Sequence, residues 1–172
     1  MERSLVNRIL LISGYIGAAV AANLVVTNFG PWALVFTAFI LIPFDLVARD
    51  VLHEAWDGKY LLIKMGLLIS IGSTVSYLIN SDSGPIATAS FVAFFAAGAT
   101  NFLFYSLCKS LKTIYRMNVS NFFASIVDSL LFPLIAFGMF DWALFGSQAS
   151  AKFVGGILWS LLFYSFIKRF RR

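Results

Sequence analysis

Six predominantly apolar runs, each about the 20 residues a helix needs to cross a bilayer, follow one another along this chain and leave little sequence between them. They are read at about Arg8–Thr27, Pro31–Ala48, Tyr60–Ile79, Pro85–Leu107, Val119–Phe140 and Ser147–Ile167. The chain is 60% hydrophobic and 12% charged, with mean hydropathy +0.86. A soluble domain is nearer 45–50% apolar and about 25% charged, so these runs belong in lipid. The prediction is an all-α integral membrane protein: a bundle of six transmembrane helices forming one domain over its 172 residues.

The breaks carry stop and start signals. Asn28-Phe29-Gly30-Pro31 closes the first run and opens the second with proline in the first turn, and Asn80 to Pro85 does the same before the fourth. Lysine and arginine give the orientation. Arg3, Arg8, Arg49, Lys59, Lys109, Lys112, Arg116, Lys168, Arg169, Arg171 and Arg172 flank the runs on one side only. The alternate connections, Asn28–Gly30, Asn80–Gly84 and Asp141–Gly146, contain none. The positive-inside rule then puts both termini in the cytoplasm. The first run, with its leading arginines and small residues Ala18 to Ala22, also resembles a secretion signal. Its length and its Gly/Ala content suit a retained packing helix, which is the expectation here.

Composition excludes several classes. The formal charge of +5 lies between and beyond the apolar runs, where membrane topology needs it, so no direct nucleic-acid contact is expected. The single cysteine, Cys108, permits no internal disulfide and no multi-cysteine metal site. Asp50, His53, Glu54 and Asp57 are read as a solvated connection rather than a metal site, because no second histidine accompanies them. No phosphate-cradling glycine loop, nucleophile elbow or zinc-protease motif is present, and neither a cofactor nor catalysis is expected.

The ionisable residues inside the runs are the candidates for function, because a carboxylate at mid-membrane costs roughly 2.5–3.5 kcal/mol and needs a partner or a polar cavity. Asp128 lies within the fifth run and has no opposite charge three or four positions away. Its partner must come from another helix, from solute or from water, and Lys152, Arg49 and Asn101 are the candidates. Asp45 and Arg49 share a helix face at i, i+4, as a local ion pair or as a gate. Lys152, in the first turns of the sixth run, is read either as a contact or as a cation snorkelling to the interface. Asn23, Ser90, Asn101 and Ser125 are neutral hydrogen-bonding groups that matter if they converge on Asp128. Pro43 with Asp45 and Asp128 with Pro133 occupy the middle helices of two three-helix halves, which hints at an inverted repeat.

At these residues the chain resembles the queuosine-precursor transporter family, also called the vitamin uptake transporter family. Asn23 in Ala21-Ala22-Asn23-Leu24, the segment Phe44-Asp45-Leu46-Val47-Ala48-Arg49, Ala89-Ser90-Phe91, Val127-Asp128-Ser129 followed by Ile135-Ala136-Phe137, and Lys152 carry the likeness. This chain has Gly98 and Asn101 where the family's fourth helix commonly has Gln and then Asp, and Asp50-Val51-Leu52 in place of a glycine. The resemblance implies a multi-pass inner-membrane importer of a small planar heterocycle, a 7-deazaguanine base that serves tRNA modification. Asp128 would accept from the base's adjacent N–H donors, with phenylalanines stacking on its faces. Asn101, Ser90, Lys152 and Asn23 would support it, and Asp45–Arg49 would gate or pack. An energy-coupling partner or a homo-oligomer is compatible with this, with Gly155-Gly156 as a small-residue contact surface. The alternatives are a substrate-binding subunit for another vitamin-like solute and a non-transporting membrane interaction protein.

Overall fold

The computed structural model describes the backbone of residues 2–56 and 60–170. Among these residues the structure is all helical and contains no strand. The helices are α1 (Glu2–Phe29), α2 (Ala33–Ala55), α3 (Leu61–Ile79), α4 (Gly84–Leu107), α5 (Thr113–Phe137) and α6 (Trp142–Phe170). Short 3-10 turns at Gly30–Trp32 and Ser81–Ser83 open α2 and α4. Four stretches among the described residues are long and apolar enough to cross a membrane: Arg8–Leu52, which takes in α1 and most of α2, then Leu61–Ile79, Ser81–Leu107 and Thr113–Phe137.

Local chemistry sets the ends. Gly30 adopts φ +69° at the α1–α2 turn, where Pro31 starts the next helical turn. Gly138, at φ +65°, stops α5 and donates its N–H to the Leu134 carbonyl at 3.1 Å. The Asp141 carboxylate accepts from the backbone N–H of Leu144 at 2.8 Å and opens α6. The glycine therefore ends α5 before Phe140, and α5 begins at Thr113 rather than Val119. Helix α2 runs on to Ala55 rather than stopping at Ala48, because Val51 and Leu52 are fully buried and keep its last turns packed.

The helices pack as a closed ring in the order α1, α2, α6, α5, α4, α3 and back to α1. Buried polar residues point into this ring from every helix: Asn23, Asp45, Arg49, Ser76, Ser90, Asp128 and Lys152 among them. The outward surface carries Leu67, Leu78, Leu103, Leu107, Leu161 and Leu162, all well exposed. Polar inside and apolar outside is the arrangement lipid demands. The ring does not follow the inverted repeat expected from the two Pro/Asp helices. α2 packs on α6, but no comparable packing joins α5 to α3.

The α2–α6 seam is built around Pro43. Proline has no N–H, so the Phe39 carbonyl one turn earlier loses its helical partner. Gly155 of α6 lies against this exposed backbone, and a methyl group there would overlap the Phe39 oxygen and the Pro43 ring. One turn on, the Trp159 indole N–H donates to the Ile40 carbonyl at 3.0 Å. Its ring meets Phe44 edge-on at 5.0 Å between centroids. Gly155 is thus taken up inside the bundle, and not free for the partner surface the sequence suggested.

Candidate functional site

A cavity lies between α1, α2, α4, α5 and α6, with an empty volume of about 300 Å³. Asn23, Ser90, Asp128, Gln148 and Lys152 supply its polar wall, and Phe94, Phe132 and Ile42 supply much of the rest. In this conformation only about 20 Å³ is open to the centre of a water-sized sphere, room for a water but not for a ring. The cavity is closed down around its polar groups.

Each polar group is held by a neighbouring helix. The Lys152 ammonium donates to Asp128 Oδ2 at 2.7 Å, to Ser129 Oγ at 3.0 Å and to Gln148 Oε1 at 3.5 Å, which occupies all three of its protons. Lys152 is only 2% exposed, so it does not snorkel to an interface. Of the three partners weighed for Asp128, the fold selects Lys152. Asn23 binds α1 to two other helices: its Nδ2 donates to Ser76 Oγ at 3.0 Å on α3, and its Oδ1 accepts from the Ser90 hydroxyl on α4.

Two buried atoms in this cavity are left without a hydrogen-bond partner: Asp128 Oδ1, an acceptor, and Gln148 Nε2, a donor. An unmade buried hydrogen bond costs about 1–3 kcal/mol, more for a charged group, so such atoms are uncommon unless something else binds them. Gln148 was missed by sequence reasoning. The signal was present, because Gln148 precedes Lys152 by one helical turn and shares its face.

Asp45 and Arg49 form the expected i, i+4 pair, with Arg49 Nη2 at 3.2 Å from Asp45 Oδ2 and both side chains 1% exposed. The same Nη2 donates to the Tyr15 hydroxyl of α1 at 3.4 Å. This pair lies one to two turns beyond Ile42 along α2 and does not line the first cavity. Asn101 is also elsewhere. Its Nδ2 donates to Asn121 Oδ1 at 2.9 Å and Ser120 Oγ at 3.2 Å, which ties α4 to α5 well away from Asp128. Asn101 is therefore corrected from cavity residue to helix-linking residue. Ser125 likewise donates to the Asn121 carbonyl of its own helix.

Asp50 is a second correction. It was read as part of a solvated connection, yet it is 1% exposed inside α2, beside the amides of Asn101 and Asn121. Neither of its oxygens reaches a donor at hydrogen-bonding geometry. A span taken to end at Ala48 hid it, because Arg49 looked like the interface when it is a core residue. The side chains of His53 and Glu54, and Asp57 altogether, lie outside the described residues.

Long apolar helices packed around buried polar side chains define a multi-pass membrane protein. The model of the family described as "Putative vitamin uptake transporter" matches residues 9–167, and the chain belongs to that family. No curated protein matches the chain, and no solved structure does.

Proposed function

We propose that this protein imports a small planar heterocycle of the queuosine-precursor type, a 7-cyano- or 7-aminomethyl-7-deazaguanine base, and that Asp128 and Gln148 recognise it. The observation that carries this reading is the pair of unpartnered atoms in the first cavity. Asp128 Oδ1 accepts and Gln148 Nε2 donates, and Phe94 and Phe132 line the same cavity. A guanine-like ring offers adjacent N–H donors next to a ring carbonyl. Asp128 takes the donors, Gln148 takes the carbonyl, and an aromatic ring covers a face. Lys152 orients Asp128 through Oδ2, which leaves Oδ1 for the ligand. Hydrogen-bonding sites of this kind reject analogues that lack the matching group by 10⁴-fold or so, because their own buried groups are then unpaired.

The protein works in the inner membrane as a single six-span domain with both termini cytoplasmic, by alternating access. The conformation described is closed, and the bundle opens to admit the base. The α2 helix, which lacks one backbone hydrogen bond at Pro43, is the element whose movement changes the cavity. Asp45–Arg49 acts as the gate below it. No step of catalysis is part of this reading.

The test is the queuosine content of tRNA in a bacterial strain that can neither make nor import its deazaguanine precursors. The strain expresses this chain and receives limiting 7-cyano-7-deazaguanine, alongside Asp128→Asn at equal membrane abundance. Restored queuosine with the parent and not with the variant supports the reading. A well-folded parent that restores nothing removes this substrate.

A further inference from the structure

A second cavity lies beside the first, between α2, α3 and α4, with an empty volume of about 250 Å³ and the exposed side chains of Leu62 and Phe95 in its wall. Its lining is apolar, from Leu61, Met65 and Ile69 of α3 and Phe94 and Phe95 of α4, with one exception. That exception is Arg49. The guanidinium spends Nη2 on Asp45 and Tyr15, while Nε and Nη1 are buried and make no hydrogen bond. These two atoms face Gly98 on the cavity wall: a Cβ at that position would stand 3.3 Å from Nη1 and 3.9 Å from Nε. Glycine is what leaves the donor edge uncovered.

Phe94 lines both cavities. In the proposed orientation the Asp128 cavity occupies the outer half of the bundle, because it is built from the end of α1, the start of α2 and the start of α6. The Arg49 cavity is built from the end of α2 and the start of α3, and so lies toward the cytoplasm. The two present opposite chemistry. The outer one offers an anionic acceptor, and the inner one a planar fork of two N–H donors in an apolar box. Such a fork suits a ligand edge with two acceptors, or one carbonyl oxygen with both lone pairs free.

We propose that the Arg49 cavity is a second, inner substrate site, which receives the acceptor edge of the heterocycle as it passes Phe94 after leaving Asp128. This rests on the outer-cavity reading and adds to it where the substrate goes next. The room now present, about 10 Å³ for the centre of a water-sized sphere, calls for movement of one wall. Helix α3 supplies that wall. It packs on α1 and α4 in the ring; among the described residues its ties include Asn23 to Ser76 and Ser73 to the Ala87 carbonyl, and its first turns add only the Lys64 ammonium over the Trp56 ring at 4.9 Å. Outward movement of the first turns of α3 opens the cavity while leaving Asp128–Lys152 intact. Buried donors without a protein partner are the less stable arrangement, so a carbonyl arriving at Arg49 is bound rather than merely tolerated.

The experiment uses the full chain in proteoliposomes, with labelled 7-cyano-7-deazaguanine as the probe. Equilibrium binding and initial uptake are both measured. Gly98→Ala covers the donor edge, and Gly98→Ser offers Arg49 an internal acceptor that competes with the ligand. The expected result is binding within about threefold of the parent and uptake slowed about tenfold or more in both variants, since binding and translocation are separate steps. Uptake at the parental rate in both variants overturns the inner site. Equal loss of binding and uptake also overturns it, because Gly98 would then serve the outer cavity. A parent that binds no base removes the outer-cavity reading, and the inner site falls with it.

Discussion

The ammonium of Lys152 on α6 lies 2.7 Å from Oδ2 of Asp128 on α5, and this contact decides which way the free edge of the carboxylate points. Lys152 also reaches Ser129 and Gln148, so one side chain holds both the acceptor and the donor that face the cavity. Breaking the pair from one side leaves a charge in a low-dielectric interior. Lys152→Met should therefore lower stability by about 3–5 kcal/mol, and the double variant Asp128→Asn, Lys152→Met should recover much of that loss. Thermal unfolding in detergent of the two single variants and the double checks it. A double variant less stable than Lys152→Met would refute the pair as the source of the effect.

Gln148 separates recognition from folding. Its Nε2 already lacks a partner, so Gln148→Leu removes an unmet donor and should leave the unfolding temperature near that of the parent. Binding of the deazaguanine base should weaken by about ten- to a hundredfold, the value of one or two buried hydrogen bonds. Titration of the purified variant with the base reads both quantities against the parent.

Gly155 and Gly156 differ by a single position and should behave oppositely. A methyl group at Gly155 overlaps the Phe39 carbonyl and Pro43, whereas one at Gly156 meets nothing within 4 Å. Gly155→Ala should cost about 1–3 kcal/mol by pushing α6 away from α2, while Gly156→Ala should be within about 0.5 kcal/mol of the parent. Denaturation curves for the two alanine variants decide it.

Trp159 donates to the Ile40 carbonyl, next to the Phe39 carbonyl that Pro43 leaves without a helical partner. Trp159→Phe retains a ring against Phe44 but loses the donor to Ile40, so a loss of about 1 kcal/mol is expected. If movement of α2 at Pro43 is what opens the site, uptake of the base should change more than its equilibrium binding. Equal changes in both would assign Trp159 to packing alone.

Much of this was legible in the chain before its fold was known. The six apolar runs correspond to six long helices, and the glycine and proline breaks fall where the helices turn. Asp45–Arg49 was readable because both residues lie on one helix, where a spacing of four fixes their neighbourhood. The lengths of α2 and α5 were less legible. Arg49 and Asp50 read as an interface until Val51 and Leu52 are seen packed inside, and α5 extends back into the basic segment before it.

What the sequence determined by itself was every property that depends on neighbours along one helix: the apolar lengths, the turns, the local ion pair and the presence of a buried carboxylate. Tertiary structure alone decided the properties that depend on the order of helices around the ring. With α6 packed between α2 and α5, Lys152 meets Asp128 and brings Gln148 with it. With α4 against α5, Asn101 is committed to Asn121 and Ser120. Gly98 facing Arg49 likewise joins residues far apart in the chain. A helix presents side chains in all directions, and the period of its sequence cannot say which neighbour each one meets. Only the ring order does that.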